Sequence, residues 1–146
     1  MADDETILAL EHEMSVLIRR LRRRIAERAR LVHPELAPVA YSMLMALHDG
    51  GAQRASSLVE LFAIDKGAVS GQVQTLLELG LIERTPDPDD RRAAILDITP
   101  LGKERLEAVA AQRRLEVREK LGDWSEGDLR GFVEVMTRYN TALERG

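Results

Sequence analysis

Residues 54–102 read RASSLVELFAIDKGAVSGQVQTLLELGLIERTPDPDDRRAAILDITPLG, and the order of elements in this stretch decides the fold. From Ser56 to Phe62, apolar residues recur at helical steps, which places Leu58, Leu61 and Phe62 on an inner face. Ser56 or a polar neighbour is positioned to cap this short helix. After the connector Ala63-Ile64-Asp65, a second helix is expected over Lys66 to Leu79, with Val69, Val73, Leu76 and Leu77 as its buried stripe. Gly80 stops it. Leu81–Thr85 and Ala93–Thr99 read as strands, the second with alternating apolar residues. Between them lies PDPDDRR, too long for a two-residue hairpin turn. Thr99-Pro100 then opens a further helix, since Pro is tolerated at a first helical position.

Helix, short connector, helix, strand, loop, strand is the plan of a winged helix-turn-helix. The expected fold class is mainly α with a small β-hairpin wing, joined to a helical dimerisation lobe. Outward on the N-terminal side, Asp4 to about Arg30 reads as one long helix, with Ile7, Leu10, Met14, Leu17, Ile18, Leu21 and Ile25 at three- and four-residue steps. Its other face carries Arg19, Arg20, Arg22, Arg23, Arg24 and Arg28, read as a solvated face rather than a phosphate-binding run. His33-Pro34 and Ala37-Pro38 break the chain, and a second helix runs from about Val39 to His48. On the C-terminal side a helix is expected from about Leu101 to Leu121. Another follows Trp124, with Ser125 and Asp128 spaced as a capping box. The expected organisation is a winged DNA-binding lobe over 36–100 and, because the long amphipathic terminal helices carry more apolar surface than a 146-residue monomer readily buries, a dimerisation lobe built from 1–35 and 101–146.

In a helix-turn-helix the second helix lies in the major groove with its N-terminal residues nearest the base edges. Those residues are Lys66, Gly67, Ala68, Ser70 and Gly71, followed one turn later by Gln74. Ser and Gln read base edges, Lys contacts guanine or phosphate, and Ala packs on a thymine methyl. Gly67 and Gly71 are costly in a helix, by roughly 1 kcal/mol each against Ala. Close approach to another surface and plain tolerance of small exposed residues explain them equally well. The loop ends in Arg91-Arg92, and guanidinium groups on a thin hairpin suit a narrow, electronegative minor groove. Asp90 is placed to support the wing by holding Arg92. Arg54 and Arg84 complete the candidate DNA contacts.

Charge argues the other way. The chain carries a net −4. Within 54–92, five basic residues (Arg54, Lys66, Arg84, Arg91, Arg92) face seven acidic ones (Glu60, Asp65, Glu78, Glu83, Asp87, Asp89, Asp90), a balance of −2. Recognition must then lean on the wing arginines, on backbone amides at the start of the second helix, and on pairing two heads.

Other chemistry finds little support. There is no cysteine, which excludes disulfides, thiolate metal sites and thiol-based redox sensing. His12, His33 and His48 are dispersed and read as surface or core residues, not metal ligands. No nucleophile elbow, phosphate loop or carboxylate pair appears, so no catalytic residue, metal or cofactor is expected. The acidic N-terminus and the lack of a long apolar run make a cytoplasmic location without membrane contact the simple reading.

Residues 54–102 resemble the MarR family of bacterial transcriptional regulators. DKGAVSGQVQTLLELGLIER, the wing DPDDRRAAILDIT and the following PLG carry the likeness. The flanking helices fit the same plan, so the likeness spans the chain. It implies a homodimer, with terminal helices intertwined and two heads reading a near-palindromic double-stranded site. It also implies a repressor released by a small, often aromatic or phenolic, effector, for which Tyr41 and Met45 are candidate contacts. Packing is the plainer reading of Tyr41 and Trp124. Many members place a basic residue where this chain has Gly71, which weakens contact from mid-helix. A winged protein-interaction module of the anti-repressor type is the competing reading.

Overall fold

The computed structural model describes residues Met1–Gly146 and divides into two compact units, Met1–Ala110 and Ala111–Gly146. The first unit opens with helix α1, Asp4–Val32. Asp3 caps it by accepting from the Thr6 amide at 2.8 Å, and Asp4 and Glu5 suit the positive end of the helix dipole. The extended His33 ends it, and Arg105 donates to the freed Val32 carbonyl at 3.4 Å.

Helix α2, Pro38–Gly50, starts on a proline and ends before Gly51, whose φ of +78° an L side chain rarely adopts. It is the centre of the core: Ala40, Tyr41, Met43, Leu44 and Leu47 are all buried. Burying each large apolar side chain contributes about 1.5–3 kcal/mol. Around it pack Ala29 and Val32 of α1, Leu58, Val69, Val73, Leu76, Leu81, Ile82 and Leu96, with Leu106 and Val109. The last turns of the first helix therefore belong to the same core as the winged module.

Next come strand β1, Gln53–Arg54, helix α3, Ala55–Phe62, and helix α4, Lys66–Glu78. Strand β1 was not expected. Nor is α3 capped by Ser56: its N-cap is Arg54, with no side-chain cap bond. Leu61, expected on the inner face, is 62% exposed, because the covered arc of α3 is centred on Ala55, Leu58, Val59 and Phe62, and Leu61 falls outside it. Ala63 makes the turn into α4 in the left-handed region (φ +49°).

Strands β2, Ile82–Pro86, and β3, Ala94–Ile98, form the wing hairpin, and β1 adds to the other edge of β3, giving the antiparallel order β1-β3-β2. Ile95 faces Arg54 on one side and Thr85 on the other. Helix α5, Pro100–Lys120, follows directly. The Thr99 hydroxyl donates to the Gly80 carbonyl at 2.6 Å and accepts from the Gly102 amide at 3.1 Å, while the Thr99 amide donates to the Leu81 carbonyl at 3.0 Å. A Cβ on Gly102 would collide with that same Leu81 carbonyl. Thr-x-x-Gly thus locks the base of the hairpin to the start of α5.

In the second unit, helix α6, Glu126–Glu144, begins with the capping box expected of Ser125 and Asp128. Trp124 meets Phe132 edge-on, with ring centroids 5.8 Å apart. No residue of α6 is buried.

Candidate nucleic-acid interface

Helix α4 turns Val69, Val73 and Leu76 into the core and leaves Lys66, Gly67, Ala68, Ser70, Gly71 and Gln74 exposed. All six candidates on this helix are therefore reachable by a partner. Their surroundings differ. The Asp65 carboxylate accepts from the Gly67 amide at 3.0 Å and the Ala68 amide at 3.3 Å. The amides expected to meet phosphate are thus already satisfied, and an anionic group stands at the helix start. Gly67 has a local reason, since a Cβ there would lie 2.9 Å from the Asp65 Oδ2. Gly71 has none within the chain: a Cβ there meets nothing within 4 Å. Gln74 donates to Glu78 at 3.2 Å, so its amide must leave that partner to read a base.

The wing tip is a chain of aspartate-capped turns. Asp87 accepts from the Asp89 amide at 2.9 Å, and its own amide donates to the Ala93 carbonyl at 3.1 Å. Asp90 accepts from the Arg92 amide at 3.0 Å, and the Ala93 amide donates to the Asp90 carbonyl at 3.0 Å. Asp90 thus meets Arg92 through the main chain, where a bond to its guanidinium was expected; an aspartate two residues upstream of an amide closes such a turn locally. Arg91 and Arg92 remain exposed, as does Arg84 on β2.

Arg54 is placed differently from the other basic candidates. Its Nε and Nη2 donate to the Asp87 Oδ2 at 2.6 and 2.5 Å, and Asp87 is only 6% exposed. The Asp89 amide, and after it the Arg54 guanidinium, hold the Asp87 carboxyl below the usual carboxylate range against the opposing effect of burial. Neither Asp87 nor Asp65 stood among the expected site residues. Asp directly before a helix was a usable signal for Asp65. For Asp87 the partner lies 33 residues away and only the sheet brings it near.

Tyr41, a candidate ligand contact, is a core side chain with 1% exposure, and Met45 is half-buried against the same core. His48 lies 3.0 Å from Asp49 and 3.4 Å from Glu107, and His33 accepts from the Glu35 amide at 3.1 Å.

A MarR-family model matches residues 35–93. YxaD of Bacillus subtilis, named as an uncharacterized HTH-type transcriptional regulator, is 30% identical over 98% of this chain and 99% of its own length. The chain belongs to the MarR family. NicR, an HTH-type transcriptional repressor of Pseudomonas putida, is 30% identical over 65% of the chain and 60% of its own length. The crystal structure of MarR matches with a TM-score of 0.74 at 26% identity, covering 94% of this chain and 98% of that one. This MarR-family protein is therefore a DNA-binding transcriptional regulator and not an enzyme. No helix is long and apolar enough to cross a membrane.

Proposed function

We propose that this MarR-family regulator works in the cytoplasm as a homodimeric repressor of a near-palindromic site. The exposed polar face of α4 enters the major groove, and Arg91 and Arg92 contact the minor groove. The observation that carries this reading is the pairing of a uniformly exposed α4 face with two exposed arginines on an aspartate-braced loop. Dimerisation is supported by apolar side chains left uncovered in the single chain: Ile7, Leu10, Ile18 and Leu21 on α1 and, within the second unit, Val133, Val135 and Leu143. These terminal segments, 1–35 and 101–146, supply the dimerisation lobe. Release by a small aromatic or phenolic effector follows from the family resemblance, and Tyr41 and Met45 would act by repacking the core rather than by lining an open surface.

Selection of duplexes from a random pool, at two salt concentrations, tests this reading. A two-fold-symmetric site with half-sites about one helical turn apart is expected. Recovery of no preferred sequence would contradict it. A second reading, a winged protein-interaction module, is favoured by the acidic balance of 54–92 and by the engagement of Arg54 and the α4 amides by aspartates. Absence of any complex with duplex DNA at micromolar protein would support that second reading.

A further inference from the structure

We propose that Arg54 is a positioning residue of the wing: by clamping Asp87 across the central strand, it fixes where the Arg91-Arg92 tip is presented and makes no phosphate contact of its own. This rests on the reading of the wing arginines as DNA contacts.

Arg54 sits on edge strand β1 and faces Ile95 of β3, while Thr85 of β2 faces the same Ile95 from the other edge. Two residues beyond Thr85, Asp87 is the last fixed point before the loop. Its amide reaches Ala93, its Oδ1 takes the Asp89 amide, and its Oδ2 takes both the Nε and Nη2 of Arg54. The guanidinium thus ties one edge of the sheet to the other through the carboxylate on which the loop turns begin. A planar guanidinium delivering two N–H groups to one oxygen holds direction as well as distance, which an ammonium does not.

Charge separates the two roles open to Arg54. A cation that neutralises a DNA phosphate releases counterions and steepens the salt dependence by about one unit. Here the positive charge is already opposed by a buried carboxylate at 2.5 Å. Removing Arg54 leaves Asp87, 6% exposed, without its charged partner. Its loss is therefore transmitted to the loop.

The test uses the full-length protein with Arg54→Gln, Arg54→Lys, Asp87→Asn and the Arg54→Gln/Asp87→Asn pair. Binding is read by fluorescence anisotropy on a labelled duplex recovered by site selection, from low to moderate salt. Each single change is expected to weaken binding roughly tenfold, the pair no more than either alone, and the salt slope to stay that of the unaltered protein. Arg54→Lys is expected to weaken binding as Arg54→Gln does. A slope reduced by about one unit in Arg54→Gln, with Asp87→Asn binding as well as or better than the parent, would overturn the clamp. Hydrogen exchange of the Asp89, Arg92 and Ala93 amides in the DNA-free protein gives a readout independent of DNA. Faster exchange in every clamp variant is expected, and unchanged exchange would overturn the clamp even if the parent bound no duplex at all. Failure of the parent to bind would count only against the DNA contacts.

Discussion

The Asp65 carboxylate accepts from the Gly67 amide at 3.0 Å, and this bond places a negative charge where α4 begins its exposed face. Asn caps a helix about as well as Asp but carries no charge. Asp65→Asn is therefore expected to leave the melting temperature nearly unchanged while tightening duplex binding several-fold at low salt, an effect that fades as salt screens it. Asp65→Ala is expected to cost about 1 kcal/mol of stability by losing the cap. Thermal melts and titrations at two salt concentrations check both.

Gly71 offers a second gain. With nothing within 4 Å of its missing Cβ, Gly71→Ala is expected to stabilise the protein by about 0.5–1 kcal/mol. Gly71→Lys should add a cation to the α4 face and tighten binding to many duplex sequences alike, with a salt slope steeper by about one unit. Denaturant unfolding and anisotropy measure the two effects separately.

Gly102 is the opposite case. A Cβ would meet the Leu81 carbonyl and lie 3.0 Å from the Ile98 side chain, both parts of the wing base. Gly102→Ala is expected to destabilise by about 1–3 kcal/mol. Thr99→Val, which removes the bonds to Gly80 and Gly102 at nearly constant shape, should also lower stability. Both are read from urea unfolding midpoints.

Much of this arrangement was legible in the sequence because local rules carry it. Thr99-Pro100 marked the start of α5, Ser125 with Asp128 marked that of α6, and Gly80 the end of α4. What was not legible depends on tertiary pairing. A two-residue strand such as Gln53–Arg54 has no periodicity to detect. Arg54 looked like a spare cation because its partner Asp87 lies across β3, 33 residues on. Leu61 fits a helical stripe with Leu58, yet nothing in a helical pattern tells that the neighbouring elements cover the side of Ala55, Val59 and Phe62 instead. The apolar stripe of α1 was readable as more than a single chain buries, and Ile7, Leu10, Ile18 and Leu21 on it are exposed; where the chain's own core begins, near Ala29, was not readable.

His48 makes stability depend on pH. Asp49 first, and then Glu107, raise its pKa above the ordinary value of about 6.5. A raised folded pKa means that the folded state holds the proton more tightly than the unfolded one. The stabilisation is therefore full below about 6.5 and is lost as pH rises through the folded value. His48→Gln is expected to be less stable than the parent near pH 6, with the gap closing toward pH 9. Unfolding midpoints across that range check it, and a gap that widens with pH would contradict it.

The salt dependence of duplex binding, compared between the parent and the Arg91→Ala/Arg92→Ala variant, most directly tests the role given to the wing. The expected result is steep salt dependence in the parent, and weaker binding in the variant across all sequences with a slope smaller by about two units. Equal affinity and equal slope in the two proteins would contradict it.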